Sequence, residues 1–272
     1  MENEKKEIIF SADVSTQCIG ICILWNDGSE YGKLIELTHI NPKASKKVKG
    51  IEELFLKKKC FNEFIQRFKD FGITKAVIEE PLLSSNNQNT VATLLRFNGM
   101  ISEAIYDAFG VVPEYISSYD ARMFSFPELM SVRKFGKDGD PYKNAKVINS
   151  IKKSNMALFG SYPWTIDKKT VLQEKVAKIF PQIEWTYDKK GNLKKENFDA
   201  TDSYVACLGQ INKEKYSKLE PLIDNIKYFD DRVEYDVNYW GIVDKRITYL
   251  NSPEIEEELT KKEALKKLKK EA

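Results

Sequence analysis

Residues 7–13 (EIIFSAD) form an apolar run that ends in an acid, and residues 18–25 (CIGICILW) form a second run. Asn26-Asp27-Gly28-Ser29 then gives a hairpin turn signal before residues 31–40 (YGKLIELTHI). This pattern predicts three antiparallel strands in a meander. The period then changes. Ile51, Leu54, Phe55, Phe61, Phe64, Ile65 and Phe68 recur at helical spacing with Lys and Glu between them, and Gly72 ends that helix. Residues 74–79 (TKAVIE) predict a short buried strand closed by Pro81, and residues 82–89 a polar loop. A second helix is expected over about 90–109, stopped by Gly110. Residues 111–117 (VVPEYIS) read as another strand, which Pro113 assigns to an edge or an end. The order β-β-β-α-β-α-β predicts an α/β fold, a mixed sheet with helices on its faces.

After Tyr119 the periodicity weakens. Residues 131–144 read as a loop and 145–155 as a short helix. Residues 168–179 (KKTVLQEKVAKI) predict a helix that Pro181 stops, and 188–192 (DKKGN) a turn. Residues 199–212 (DATDSYVACLGQIN) predict a helix with an acid at its start. An aromatic-rich stretch follows, with a hairpin expected around 235–250, and the last twenty residues read as a solvated or frayed Glu/Lys segment.

Composition narrows the chemistry. With 272 residues, 42% hydrophobic and 31% charged, the chain suits one large domain or two small ones and is not a disordered polymer. No apolar run reaches the roughly 18–20 residues that span a bilayer, so no membrane partner is expected. Met1–Glu7 is charged, and the apolar stretch behind it is too short for a signal-peptide core; the expected location is the cytoplasm, or the host cytoplasm for a viral protein. Cys18, Cys22, Cys60 and Cys207 lack zinc-site spacing and read as small buried hydrophobes. His39 is the single histidine, which argues against His-based zinc sites and Ser-His-Asp or Cys-His catalysis. Any chemistry therefore rests on carboxylates, lysines, hydroxyls or a bound metal.

Four acids stand at informative places. Asp13 interrupts a strand that otherwise reads as core, which costs desolvation energy. Glu79 ends the fourth strand inside KAVIEEP. Asp199 and Asp202, three apart in NFDATDSYVA, face one side of a helix start. Each has an ordinary reading taken singly: Asp13 as a turn residue, Glu79 as a strand end, Asp199 as an N-cap and Asp202 as a first-turn acid. Together they make a sharper case. If the first and fourth strands are neighbours, Asp13 and Glu79 meet, and the late helix lays Asp199 and Asp202 beside them. Four converging carboxylates would not all stay ionised without a cation, and oxygen-only ligands suit Mg²⁺ or Mn²⁺. Two such ions ~3.5–4 Å apart would serve in-line displacement at phosphorus. The residues thus point to metal-assisted phosphodiester hydrolysis.

The order of these motifs resembles the ribonuclease H-like nucleases, and within them the RuvC-type Holliday-junction resolvases with their phage and poxvirus relatives. The residues that carry it are Asp13, Ser15 and Gly20 (ADVSTQCIGICIL), Ile78-Glu79 (VIEEP), the Asn-rich loop and helix with Asn98-Gly99 (SSNNQNTVATLLRFNGMI), and Asp199 and Asp202 (DATDSYVA). The resemblance covers roughly residues 7–212. It implies a mixed five-stranded sheet flanked by helices, with a nuclease domain over 1–215, a basic insertion around 122–165 and an extension over 216–272. It implies that Asp13, Glu79, Asp199 and Asp202 bind two Mg²⁺ ions, with Mn²⁺ able to substitute, and cut branched DNA. It also implies a homodimer and no nucleotide cofactor. Glu80 competes with Glu79, but strand alternation lets only one of them face the site, and the family pattern favours Glu79.

Charge adds a candidate DNA path. The total is only +2, yet residues 131–195 hold 15 Lys/Arg against 6 Asp/Glu, leaving the remainder net −7. Lys168, Lys169, Lys175 and Lys178 fall on or before one predicted helix, and Lys189, Lys190, Lys194 and Lys195 flank the turn before the acid-bearing helix. Lysines so placed would neutralise backbone phosphates. Lys168, Lys169, Lys175, Lys194 and Lys195 are the named candidates for DNA contact, and rings such as Trp185 and Tyr187 for stacking on unpaired bases. The ordinary alternative is a solvated lysine face over core rings. Three other classes stay open: a terminase-type or hybrid-cutting nuclease of the same fold, an actin-like ATPase on the strength of DVSTQCIG, and a non-catalytic DNA-binding protein. No G-x-x-x-x-G-K-[ST] loop occurs, which counts against a full terminase.

Overall fold

The structure is a computed structural model and describes residues 7–81, 87–126, 129 and 168–227. Strands β1 (Glu7–Val14), β2 (Ile19–Asn26), β3 (Lys33–Ile40), β4 (Lys75–Glu79) and β5 (Glu114–Ile116) form one sheet in the order β3-β2-β1-β4-β5. The first three pair antiparallel, while β4 joins β1, and β5 joins β4, in parallel. This is the mixed five-stranded sheet flanked by helices that the sequence reading expects. β5 takes the edge, next to Pro113, whose missing N–H suits no central strand.

Helix α1 (Ile51–Ile65) tightens into a 3₁₀ turn at Gln66–Phe71 before Gly72 turns the chain at φ 70°. Helix α2 (Gln88–Phe109) starts slightly ahead of the predicted 90 because the Asn87 side chain accepts from the Asn89 and Thr90 amides. Helix α3 (Ser118–Ser125) is absent from the sequence prediction; the Ser117 hydroxyl caps it by accepting from Asp120 N. Helix α4 (Lys168–Ile179) falls where the periodicity put it. Helix α5 (Glu196–Lys227) begins before the expected 199 and continues past 212, so Asp199 lies inside its first turn and is not its cap. The loop at 82–86, almost all of the basic insertion at 122–165, the expected helix at 145–155 and the tail beyond 227, with its expected hairpin, lie outside the described residues.

Strand alternation divides the core in two. Ile8, Phe10, Ala12 and Val14 of β1, with Ala76 and Ile78 of β4, pack under α1 and α2. Ile9 and Val77 point to the opposite face, which α3, α4 and α5 cover through residues such as Leu172, Val176, Tyr204 and Leu208. Each large side chain fully buried in either half, such as Phe10 or Ile78, contributes about 1.5–3 kcal/mol. The same parity sends Ser11 and Asp13 of β1, and Glu79 of β4, toward the α5 face.

Candidate active site

The site grows from this register. Ala12 is the partner of Ile78 in the parallel pairing of β1 with β4, so the next residues, Asp13 and Glu79, sit side by side at the ends of adjacent strands. Both are half-buried, whereas Glu80 is exposed. Across the antiparallel pair, Asp13 stands opposite Gly20. A Cβ on Gly20 would lie 1.9 Å from the Asp199 carbonyl oxygen. Only a residue without a side chain lets the first turn of α5 press onto β2, and that approach brings Asp199 to the strand ends. The Ser11 hydroxyl donates to Ser203 O at 2.7 Å and ties the next turn of α5 to β1.

The four acids feel one another. Burial pushes the Asp13 carboxyl well above its ordinary range, and the charges of Glu79, Asp202 and Asp199 push it further. Burial raises Glu79 to about 7, with Asp202 adding to the effect and Arg122 and Lys169 opposing it. Burial also raises Asp199, while a hydrogen bond from the Cys18 thiol and the charge of Lys169 hold it back. Asp202 is only 3% exposed and is balanced by two cations. Lys169 Nζ lies 3.0 Å from its Oδ2, and Arg122 Nη2 3.3 Å from its Oδ1. Burial pulls Lys169 down, but Asp202, Asp13 and Asp199 outweigh it and leave the ammonium more basic than usual.

Helix packing sets these cations. Gly209 lets α5 cross α3 closely, since a Cβ there would lie 2.4 Å from Ala121 O. Asn212 Nδ2 donates to Phe124 O at 2.8 Å and Lys213 pairs with Asp120 at 2.8 Å. The crossing holds Arg122 against Asp202, and Arg122 Nε is buried with no partner among the described residues. Cys18 is pinned in turn: Ser15 Oγ accepts from Cys18 N at 3.1 Å and donates to Cys18 O at 2.8 Å.

Beside Asp199, the one of the four acids in its lining, opens a cleft of about 840 Å³ that Ser15, Asn41, Lys169, Lys194 and Lys195 also line. Three of the five lysines proposed for DNA contact therefore face it. Lys175 does not; its ammonium lies 4.7 Å from the centroid of the Phe126 ring, on the α4 side of the core. The side chain of Lys168 lies outside the described residues. Sequence reasoning missed Arg122 and the contact of Cys18 with Asp199. Ser117-x-x-Asp120 is a helix-start signature that would have revealed α3 and with it Arg122. Nothing in the sequence around Cys18 distinguishes it from the ordinary buried Cys22 and Cys207.

The donor set is chemically suited to a hard divalent cation: four carboxylates, of which Asp13, Glu79 and Asp199 are held above their ordinary range. Among the described residues, however, no three such side chains already stand close enough to hold an ion. Asp202 is instead satisfied by Lys169 and Arg122.

No family model and no curated protein matches the chain. Among solved structures it is similar to Thermus thermophilus RuvC in complex with a Holliday junction substrate, at 10% identity and a TM-score of 0.43, covering 76% of this chain and 94% of that one. It is similar to the yeast mitochondrial Holliday junction resolvase Ydc2 at 10% identity and a TM-score of 0.42, covering 82% and 85%. A Ppx/GppA family member from Aquifex aeolicus aligns at 12% identity and a TM-score of 0.32, covering 77% and 90%. Likenesses this remote carry no residue's role across; the site stands on its own geometry.

Proposed function

We propose that this protein is a metal-dependent endonuclease that hydrolyses phosphodiesters in branched DNA such as four-way junctions. The observation that supports it is the convergence of Asp13, Glu79, Asp199 and Asp202 from β1, β4 and α5, each raising or being raised by another. Divalent ions held there, Mg²⁺ by preference and Mn²⁺ in its place, would supply Lewis-acid charge at the phosphodiester and activate water for attack on phosphorus. Asp13 and Glu79 are positioned by the sheet and Asp199 and Asp202 by the helix, so the four approach from different directions. Arg122 and Lys169 pair with Asp202 and hold it in place, and Lys169 also faces the cleft, where its charge favours a phosphate. Hydrolysis would leave a 5′-phosphate and a 3′-hydroxyl.

Cutting two opposed strands of a junction needs two such centres, so a homodimer belongs to this proposal, and sedimentation of the full chain checks it. The decisive experiment is cleavage of a synthetic four-way junction with Mg²⁺ or Mn²⁺. Wild type should cut, and Asp13→Asn should lose cutting while keeping junction binding. Absence of cleavage by wild type, accompanied by ATP hydrolysis, would replace the proposal with an actin-like ATPase. Glu79→Gln should cripple cutting far more than Glu80→Gln.

A further inference from the structure

The segment that leads into α5 is more highly built than a connecting loop needs to be. Tyr187 and Leu193 pair as an antiparallel bridge, and Lys194 N donates to Thr186 O at 3.1 Å. The turn between them is closed by the Asp188 carboxylate, which accepts from Lys190 N at 2.7 Å and Asn192 N at 2.9 Å, with Gly191 at φ 80°. The root is also fixed. Asn197 is 5% exposed, and its side chain accepts from Thr186 N at 3.2 Å and Thr186 Oγ1 at 3.0 Å while donating to Thr186 O at 2.6 Å. The hairpin is thereby clasped to the first turn of α5, two residues before Asp199.

This rigid projection carries a particular chemistry. Lys189, Lys190, Lys194 and Lys195 are exposed on it, against one carboxylate, Asp188, that is engaged in the turn. Lys194 and Lys195 line the cleft beside Asp199, as does Leu193. Residues opposed in an antiparallel bridge share a face, so Tyr187 lies on the side of Leu193. Tyr187 is 55% exposed, which leaves its ring open to a partner.

We infer that the hairpin at 185–195 is a branch-point reader: Tyr187 stacks on an unpaired nucleobase while Lys189, Lys190, Lys194 and Lys195 hold the flanking phosphates. The inference rests on the nuclease reading above and adds the origin of its preference for branched over continuous duplex DNA. An exposed ring stacks on any base that has left the helix and finds none in an intact duplex, whereas lysines bind both. The clasp of Asn197 fixes the ring relative to Asp199, so a base captured there sets which phosphodiester meets the acids.

The test measures binding of the full chain in EDTA to a four-way junction and to a duplex of the same length, with 2-aminopurine at the branch point. Tyr187→Ala should weaken junction binding about 5–150-fold, leave duplex binding within roughly 2-fold, and abolish quenching of the 2-aminopurine. Tyr187→Trp should restore all three readouts. Lys189→Gln with Lys190→Gln should weaken both DNAs and lower the salt slope by about 1 per lysine removed. If wild type prefers the junction and Tyr187→Ala leaves that preference and the quenching intact, the hairpin inference is overturned and the nuclease reading survives. Equal weakening of junction and duplex by Tyr187→Ala overturns it as well. If wild type binds neither DNA, both readings fall.

Discussion

The two faces of the sheet use the same strands for opposite ends. Under α1 and α2, the even positions of β1 are Ile8, Phe10, Ala12 and Val14, all apolar, and the strand is sealed to its tip. On the α5 side the odd positions are Glu7, Ile9, Ser11 and Asp13, so a single apolar residue stands among polar ones. β4 repeats the pattern, with Lys75, Val77 and Glu79. The helix on that side answers it with Asp199, Asp202 and Ser203. One face is a hydrophobic foundation that tolerates no charge. The other face sets one apolar residue per strand among polar ones and carries Asp13 and Glu79 at the C-terminal ends of β1 and β4.

That contrast breaks most severely at Gly20. Gly20→Ala drives a Cβ into the Asp199 carbonyl and should cut the cleavage rate by about 10²-fold or more through displacement of α5. Hydrogen exchange should show amide protection falling in α5 while α1 and α2 stay protected; wild-type cleavage by this variant would show that α5 does not depend on the close approach. Phe10→Ala strikes the other face. It should cost about 3–5 kcal/mol in urea unfolding yet leave junction cleavage near normal well below the midpoint. A fall in cleavage larger than the unfolded fraction explains would mean that the faces are not separable.

The pH dependence sharpens the comparison further. Glu79, raised from 4.5 to about 7, and Asp13, raised in the same direction, keep protons in the folded chain that the unfolded chain has already released. Stability of the metal-free protein should therefore decline as pH rises from about 4.5 through about 7. Glu79→Gln should flatten that slope, which melting temperatures across this range would reveal, and an unchanged slope would remove Glu79 as its source. The smallest expected effect is Ser11→Ala. Loss of the hydroxyl that donates to Ser203 O should cost about 0.5–1.5 kcal/mol, with cleavage reduced more than after an equally destabilising change under α1 and α2.

Much of this was legible in the chain. Apolar runs placed Asp13 and Glu79 on strands, period-two alternation let only one of Glu79 and Glu80 face the site, the resemblance favoured Glu79, and the structure leaves Glu80 exposed. The three-residue spacing of Asp199 and Asp202 put them on one helical side. Helix α3 went unread because eight residues with few apolar positions give little periodicity, although its cap was visible. The continuation of α5 past 212 depends on distant partners, Asp120 for Lys213 and Lys75 for Glu214, that no local pattern announces. Lys175 looked equivalent to Lys169 in charge and helix, and their surroundings separate them: one lies over Phe126, the other against Asp202.

The sequence by itself determined the order of the five strands and of every described helix but α3, and the identity of the acids on them, because side-chain direction along a strand or helix is a local consequence of backbone geometry. Only the tertiary structure decided that β1 and β4 are neighbours, that α5 docks on a bare Gly20, and that Asp202 is held by Arg122 and Lys169. Those facts depend on contacts between residues far apart in the chain, where steric fit and charge balance act in space and leave no period in the sequence.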